Sequence, residues 1–170
     1  EYLEVNVEEI NINNKYTGYR FNRIETEGID KKIPIDGNEI PVEANNGGKI
    51  KVYYVKDSFE YRVEYYYNGV KDDSKTEYKT ALYETQVSTY TDKVKAGYKL
   101  DHTSGDLIIG VNENILKVYY VIDDSQTKEL SYTIDFYKDG EFVEEDTISV
   151  IKEVQLLEDN KIEVDKENVE

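Results

Sequence analysis

Lys51-Val52-Tyr53-Tyr54-Val55 returns as Lys117-Val118-Tyr119-Tyr120-Val121, displaced by 66 residues. A second cassette, Tyr61-Arg62-Val63-Glu64-Tyr65-Tyr66-Tyr67-Asn68-Gly69, is answered after 71 residues by Tyr132-Thr133-Ile134-Asp135-Phe136-Tyr137-Lys138-Asp139-Gly140. A Gly-Tyr pair precedes each copy of the first cassette, at Gly18-Tyr19 and Gly97-Tyr98. Self-similarity at this period marks an array of small related domains, and arrays space, display or bind. Each repeat is near the size, about 60 residues, at which one core becomes marginal, so neighbouring repeats gain from packing on each other.

The central repeat, 58–124, is complete. Its first strand alternates, with Tyr61, Val63, Tyr65 and Tyr67 on one face and Arg62, Glu64 and Tyr66 on the other. That period of two is the pattern of a half-buried strand. Asn68-Gly69 supplies a tight hairpin turn, as Asp139-Gly140 does in the later copy. Returning strands are expected through Thr76–Thr80 and Thr147–Val154. Thr91-Asp92 reads as a helix N-cap and Gly97 as a stop, which predicts a short helix within Val87–Lys99. Leu107–Val111 and Ile115–Val121 follow as strands. The order strand, hairpin, strand, helix or loop, strand, strand predicts a β-grasp sheet with its first and last strands side by side. The connection between them is long enough for a parallel crossover.

The flanks are partial. Segment 1–57 is a variant repeat that lacks the opening cassette and begins near the end of a returning strand at Leu3, Val5 and Val7. Its spacing from Gly-Tyr to the KVYYV cassette is 33 residues (18 to 51) against 20 (97 to 117), so it is 13 longer. Ile33–Val42, with apolar residues around Asp36-Gly37, predicts an inserted hairpin whose prolines belong at a sheet edge. Segment 125–170 has the opening hairpin and no second Gly-Tyr or KVYYV. Two readings follow: truncated end domains, or halves that pair by strand exchange, since an orphaned β edge seeks a partner. Beginning at Glu1 and lacking Met, the chain reads as a piece of something longer. The fold class is therefore mainly β (α+β), as tandem small β-grasp-like repeats with one complete unit between partial units.

Composition narrows the function classes. The net charge of −16 over 170 residues disfavours nucleic acid, which demands a positive surface, and anionic membranes. Spread acidity instead keeps a long surface array soluble. The absence of Cys removes disulfides, thiol nucleophiles and thiolate metal sites. No apolar run approaches a membrane span. His102 is the sole histidine, in Asp101-His102-Thr103-Ser104, where a turn is expected, and no Gly-x-Ser-x-Gly elbow accompanies it. No catalytic residue is assigned. The acidic turns Asp36–Glu39, Lys71–Ser74 and Ile122–Ser125 bring oxygen donors together, but none has EF-hand spacing and all fit ordinary turn chemistry. No cofactor and no metal are expected.

The 17 tyrosines are the best candidates for a binding surface. If Val118 and Tyr120 point inward, Tyr119 faces outward beside Tyr66, with Tyr53 and Tyr137 as their counterparts in the partial repeats. Such a platform suits sugar stacking or a protein hot spot; equally, it suits cross-strand packing.

The pattern Tyr-x-Val-x-Tyr-Tyr-Tyr-x-Gly, a central Gly-Tyr and a closing Ile/Leu-Lys-Val-Tyr-Tyr-Val resembles the MucBP-like repeats of Gram-positive surface proteins. That resemblance implies a secreted β-grasp repeat of a cell-wall-anchored protein, extracellular and non-enzymatic. It implies a stalk or spacer role, with host glycoprotein or mucin, or another surface protein, as partner. Two alternatives go with it: a mucin- or glycan-binding adhesin module using Tyr66, Tyr119, Tyr53 and Tyr137, or an accessory repeat of a secreted carbohydrate-active enzyme. A monomer is expected, with strand exchange through the partial repeats as the other state.

Overall fold

The computed structural model describes residues 2–10, 15–29, 31–35 and 38–164. The chain is mainly β. Its first part holds β1 (Tyr2–Glu4), the one-turn helix α1 (Val7–Ile10), β2 (Tyr19–Glu27), β3 (Lys31–Ile35), β4 (Asn38–Asn45) and β5 (Lys49–Lys56). The central part holds β6 (Ser58–Tyr67), β7 (Val70–Lys71), β8 (Glu77–Leu82), β9 (Gln86–Val87), β10 (Tyr98–Thr103), β11 (Leu107–Ile108) and β12 (Ile115–Ile122). The last part holds β13 (Thr127–Ile134), β14 (Tyr137–Lys138), β15 (Glu141–Phe142) and β16 (Ile148–Gln155). Two compact units emerge: Glu1–Glu64, Thr76–Tyr90 and Ser104–Lys117 form one, and Tyr65–Lys75, Thr91–Thr103 and Val118–Glu170 the other.

Strands β10, β12, β6 and β7 are neighbours in that order, and β8 also pairs with β6. The Arg62 N–H donates to Asn114 O, and the Asn68 N–H donates to Tyr120 O. Residue numbers rise together along the two strands, so β6 and β12 are parallel. Alternation along both strands is visible in burial. Val63, Tyr65, Tyr67, Leu116, Val118 and Tyr120 are all 6% exposed or less, and Arg62, Tyr66, Lys117 and Tyr119 alternate with them at half-buried positions. Glu64, expected on the outer face with Arg62 and Tyr66, breaks the pattern: it is buried, its carboxylate accepting from Arg62 Nε at 2.9 Å. Asn68 and Asp139 take positive φ ahead of Gly69 and Gly140, as a two-residue hairpin turn requires.

In the first unit β2 pairs antiparallel with β5, and β4 lies between β1 and β3. The inserted hairpin is β3–β4, though Asp36 and Gly37 at its tip lie outside the described residues. Pro34 sits on the edge strand β3. Pro41, expected at an edge too, is buried in the middle strand β4, where the register shifts between Lys31 and Lys32. An irregular ladder tolerates a residue that cannot donate. Leu3 belongs to β1, which pairs with β4 rather than forming a returning strand, and Val7 opens α1.

The helix expected within Val87–Lys99 is absent: Val87 ends β9, residues 88–96 carry no regular structure, and β10 begins at Tyr98. The reason is visible in the second unit, where tyrosine hydroxyls use this segment's backbone groups. Tyr65 Oη donates to Thr91 O at 2.7 Å and Tyr67 Oη to Lys93 O at 2.6 Å, while the Lys93 N–H donates to Tyr120 Oη at 2.8 Å. Buried phenols must find such partners, and an extended strap supplies them. Asp101–Ser104, expected as a turn, instead continues β10 through Thr103. The strand expected over Leu107–Val111 is short, Leu107–Ile108, and pairs with β9.

Candidate functional site

Tyr66 and Tyr119 are brought together on β6 and β12, their rings stacked at 5.0 Å between centroids and 27° between planes. His102 on β10 stacks on Tyr119 at 4.5 Å and 15°. Because β10 and β6 flank β12, these neighbours lie on opposite sides of the Tyr119 ring. Both faces of that ring are covered.

A bulge puts His102 there. The β10–β12 register skips Asp101, between Leu100 and His102, and the Asp101 carboxylate bonds His102 Nδ1 at 2.6 Å. The first unit has the same device. The β2–β5 register skips Asn22, between Phe21 and Arg23, and Arg23 Nη1 donates to Asn22 Oδ1 at 2.9 Å. Arg23 lies opposite Tyr53, its guanidinium carbon 4.0 Å from the ring centroid. A bulge re-aims side chains, and here it twice lays a flat cationic or imidazole group over the first tyrosine of the KVYYV cassette. The Arg23 guanidinium, bonded to Glu25, holds that carboxyl below its usual range, with Tyr53 adding to the effect. The bulge residues carry no sequence signal beyond Asn22-Arg23 and Asp101-His102, so alternation alone missed both.

Tyr53 and Tyr137 have separate surroundings. Tyr53 is half-buried on β5 under Arg23. Tyr137 is 65% exposed on β14 and tilts against Phe142 at 5.5 Å.

Beneath the ladder lies a tyrosine core. Tyr67 and Tyr120 stack at 5.2 Å, and Lys95 Nζ sits 3.8 Å from the Tyr67 centroid while bonding Asp72 Oδ2 at 2.9 Å. Burial first, and Asp92 second, push the Tyr120 hydroxyl well above its ordinary pKa. It stays a phenol, donating to Asp92 Oδ1 at 2.6 Å.

The second repeated construction involves the Gly-Tyr pairs. Gly18 takes φ +83°, and a β-carbon built on it would lie 2.4 Å from the Tyr83 ring. Gly97 takes φ +86°, and its β-carbon would lie 2.5 Å from Leu157 Cγ. Tyr83 follows β8 and Leu157 follows β16, so each glycine receives a large side chain from just beyond the next repeat's returning strand. The glycine carbonyl is bonded alike in both, while the bond to the returning strand uses the same residue in one joint and a residue three further on in the other. Asp57 N–H donates to Gly18 O and Tyr83 N–H to Asp57 O; Asp123 N–H donates to Gly97 O and Leu156 N–H to Gln126 O. Gln126 adds to the second joint, accepting from the Gly97 N–H at 2.7 Å and donating to Tyr98 O at 3.1 Å. The pair of glycines was legible in the sequence; the side chains they receive were not, because Tyr83 and Leu157 differ in kind.

The acidic turns serve their own backbone. Asp72 Oδ1 accepts from Ser74 N–H and Oγ–H, and Asp123 Oδ1 from Ser125 N–H and Oγ–H. Ser74, then Lys95, bring Asp72 down to about 2, and Ser125, then Gln126, bring Asp123 to about 2. Among the described residues no group of three acidic, His or Cys side chains is placed to hold a metal ion. No helix among them is long and apolar enough to cross a membrane.

No family model, curated protein or solved structure matches the chain.

Proposed function

We propose that the chain is a non-enzymatic repeat region of a bacterial cell-surface protein, of the MucBP-like β-grasp type, working outside the cell as a stalk or spacer. The observation that carries this reading is the duplicated joint. Gly18 packs against Tyr83 and Gly97 against Leu157, a glycine of one repeat against a large side chain of the next in both cases, although the side chains, the linking bonds and the linker lengths differ. A spacer must hold each repeat at a fixed distance from the next, and a glycine socket filled by its neighbour does that better than a free linker. The parallel pair β6–β12 supports the β-grasp assignment, with an extended strap in place of the helix. Parallel first and last strands also load in shear when a repeat is pulled by its ends.

The test is a distance measurement across one joint. Spin labels on Glu27→Cys and Thr80→Cys, in a chain with no other cysteine, should give a single narrow distance distribution. A broad distribution spanning many ångströms would sink the spacer reading.

A further inference from the structure

Tyr66 and Tyr119 lie on the first and last strands of the central repeat, in a chain that holds no Cys, Met or Trp. Cysteine and methionine ordinarily take up oxidising equivalents first. Without them, the phenols are the most readily oxidised side chains present. The Asn68 N–H donates to Tyr120 O, which sets position 68 beside 121 and position 66 beside 119 in parallel register. Side chains on parallel strands lean the same way, so two rings side by side come level, ortho carbon with ortho carbon. Their centroids are 5.0 Å apart, their planes 27° apart, and both residues are half-buried. Other tyrosine pairs lack one of these conditions. Tyr67 and Tyr120 stack at 9°, yet they are 6% and 1% exposed and their hydroxyls donate to Lys93 O and Asp92 Oδ1. Tyr16–Tyr54, Tyr19–Tyr83 and Tyr67–Tyr98 meet at 70° or more, edge against face.

We infer that Tyr66 and Tyr119 form an oxidative cross-linking site, joined as dityrosine by a peroxidase-type oxidant with hydrogen peroxide, which staples the first strand of the repeat to the last. Each phenol gives up its O–H hydrogen as one proton and one electron. The two phenoxyl radicals couple through a carbon ortho to each oxygen, forming one C–C bond. The hydrogens on those two carbons then move to the oxygens, which restores both phenols. Hydrogen peroxide takes the two electrons and two protons, its O–O bond breaks, and two waters leave. Coupling asks the rings to turn edge to edge, which half-buried side chains can do and close-packed core rings cannot. His102 covers the far face of Tyr119 at 4.5 Å, so the ring beside its open flank is Tyr66. The link spans 53 positions (66 to 119), and a cross-link stabilises by restricting the unfolded chain, more for a longer loop. In a chain without disulfides it ties together the two strands that load in shear. That mechanical consequence rests on the spacer reading; the coupling rests on geometry and composition alone.

The experiment treats the full chain with a haem peroxidase and hydrogen peroxide, at a protein concentration low enough to disfavour coupling between molecules. The expected products show dityrosine fluorescence, an intact mass lighter by two hydrogens, and a cross-linked peptide pair containing Tyr66 and Tyr119. Tyr66→Phe and Tyr119→Phe keep both rings, leave the circular dichroism unchanged and each abolish that product. Tyr137→Phe, which alters the 65%-exposed tyrosine of β14, leaves the yield as it was. Treatment raises the urea midpoint of the wild-type chain and not that of the Tyr119→Phe chain. An untreated-like chain with no dityrosine overturns the proposal, as does dityrosine that forms only between molecules, maps to another pair or survives in both phenylalanine variants. A Tyr66–Tyr119 product that leaves the midpoint unmoved overturns it as well, because the link then staples nothing. None of these outcomes alters the spin-label distance across a joint, so the spacer reading stands or falls separately.

Discussion

Gly97 and Leu157 are in contact so close that no residue with a β-carbon fits at position 97 without displacing the leucine, whose Cγ would lie 2.5 Å from that carbon. Gly18 and Tyr83 stand in the same relation, an added β-carbon falling 2.4 Å from the ring. Two independent requirements meet at each glycine. Its φ lies in the left-handed region, where a side chain costs roughly 1–2 kcal/mol, and its α-carbon surface is the floor of a socket. Conformation and packing thus select the same residue, and the Gly-Tyr pair recurs for a reason that joins one repeat to the next.

Gly97→Ala is expected to lower stability by about 1–3 kcal/mol, combining the backbone term with the clash. Trimming the partner separates the two. In a double-mutant cycle, Leu157→Ala should recover part of the loss in the Gly97→Ala background and none of the φ term. Urea melts of the four proteins check this. Strict additivity would mean that the socket is not what makes Gly97 necessary.

Tyr119 and Tyr120 are adjacent in sequence and opposite in consequence. Tyr120 is 1% exposed, and its hydroxyl joins the Lys93 N–H and the Asp92 carboxylate. Tyr120→Phe removes an acceptor from a backbone donor in a shielded place, a loss of about 1–3 kcal/mol. Tyr119→Phe keeps the stack with Tyr66 and His102 and should change stability by less than about 0.5 kcal/mol. Chemical denaturation of the two variants, side by side, decides between these expectations. Equal effects would contradict the assignment of inner and outer faces.

Acid should loosen two turns together. Asp72 and Asp123 have an ordinary value of 3.8 and are held at about 2 in the folded chain. A carboxyl with a depressed folded pKa contributes stability that is fully present above its unfolded value. That contribution is lost as pH falls from about 4 toward 2. Carbon-detected NMR titration should give both groups midpoints near 2. The doubly substituted Asp72→Asn, Asp123→Asn chain should show a shallower loss of stability over that window. Midpoints near 4 would mean that the serine hydroxyls do not hold these carboxylates.

Much of the architecture was written in the alternation. Val63, Tyr65 and Tyr67 read as one face and Val118 and Tyr120 as inward, and all five are buried, while Glu64 of the opposite face is buried too; Asn68-Gly69 read as a hairpin and is one. What failed was local reading of the middle segment. Thr91-Asp92 has the composition of an N-cap, yet the carbonyls of Thr91 and Lys93 are taken by tyrosines 26 positions away in sequence. A helix signal is local, and these competing partners are not. Asp101-His102 failed similarly: a polar pair suggests a turn, but a bulge lets both residues stay in a strand and serve one ring on its neighbour. Tyr66 and Tyr119 stack as the face pattern places them, and the groups over Tyr119 and Tyr53, His102 and Arg23, are ones the face pattern does not mention.

That packing bears on glycan binding. A sugar stacks on an open aromatic face, and Tyr119 offers none, since Tyr66 and His102 take one each. Removing the ladder should therefore cost sheet stability, about 0.2–1 kcal/mol per rung, and no ligand affinity. In a glycan and mucin screen the wild-type chain is expected to show no saturable binding at high protein concentration. The Tyr66→Ala, Tyr119→Ala chain, folded but less stable, should behave identically. Saturable binding by the wild type that the double variant loses would transfer the ladder from scaffold to binding surface.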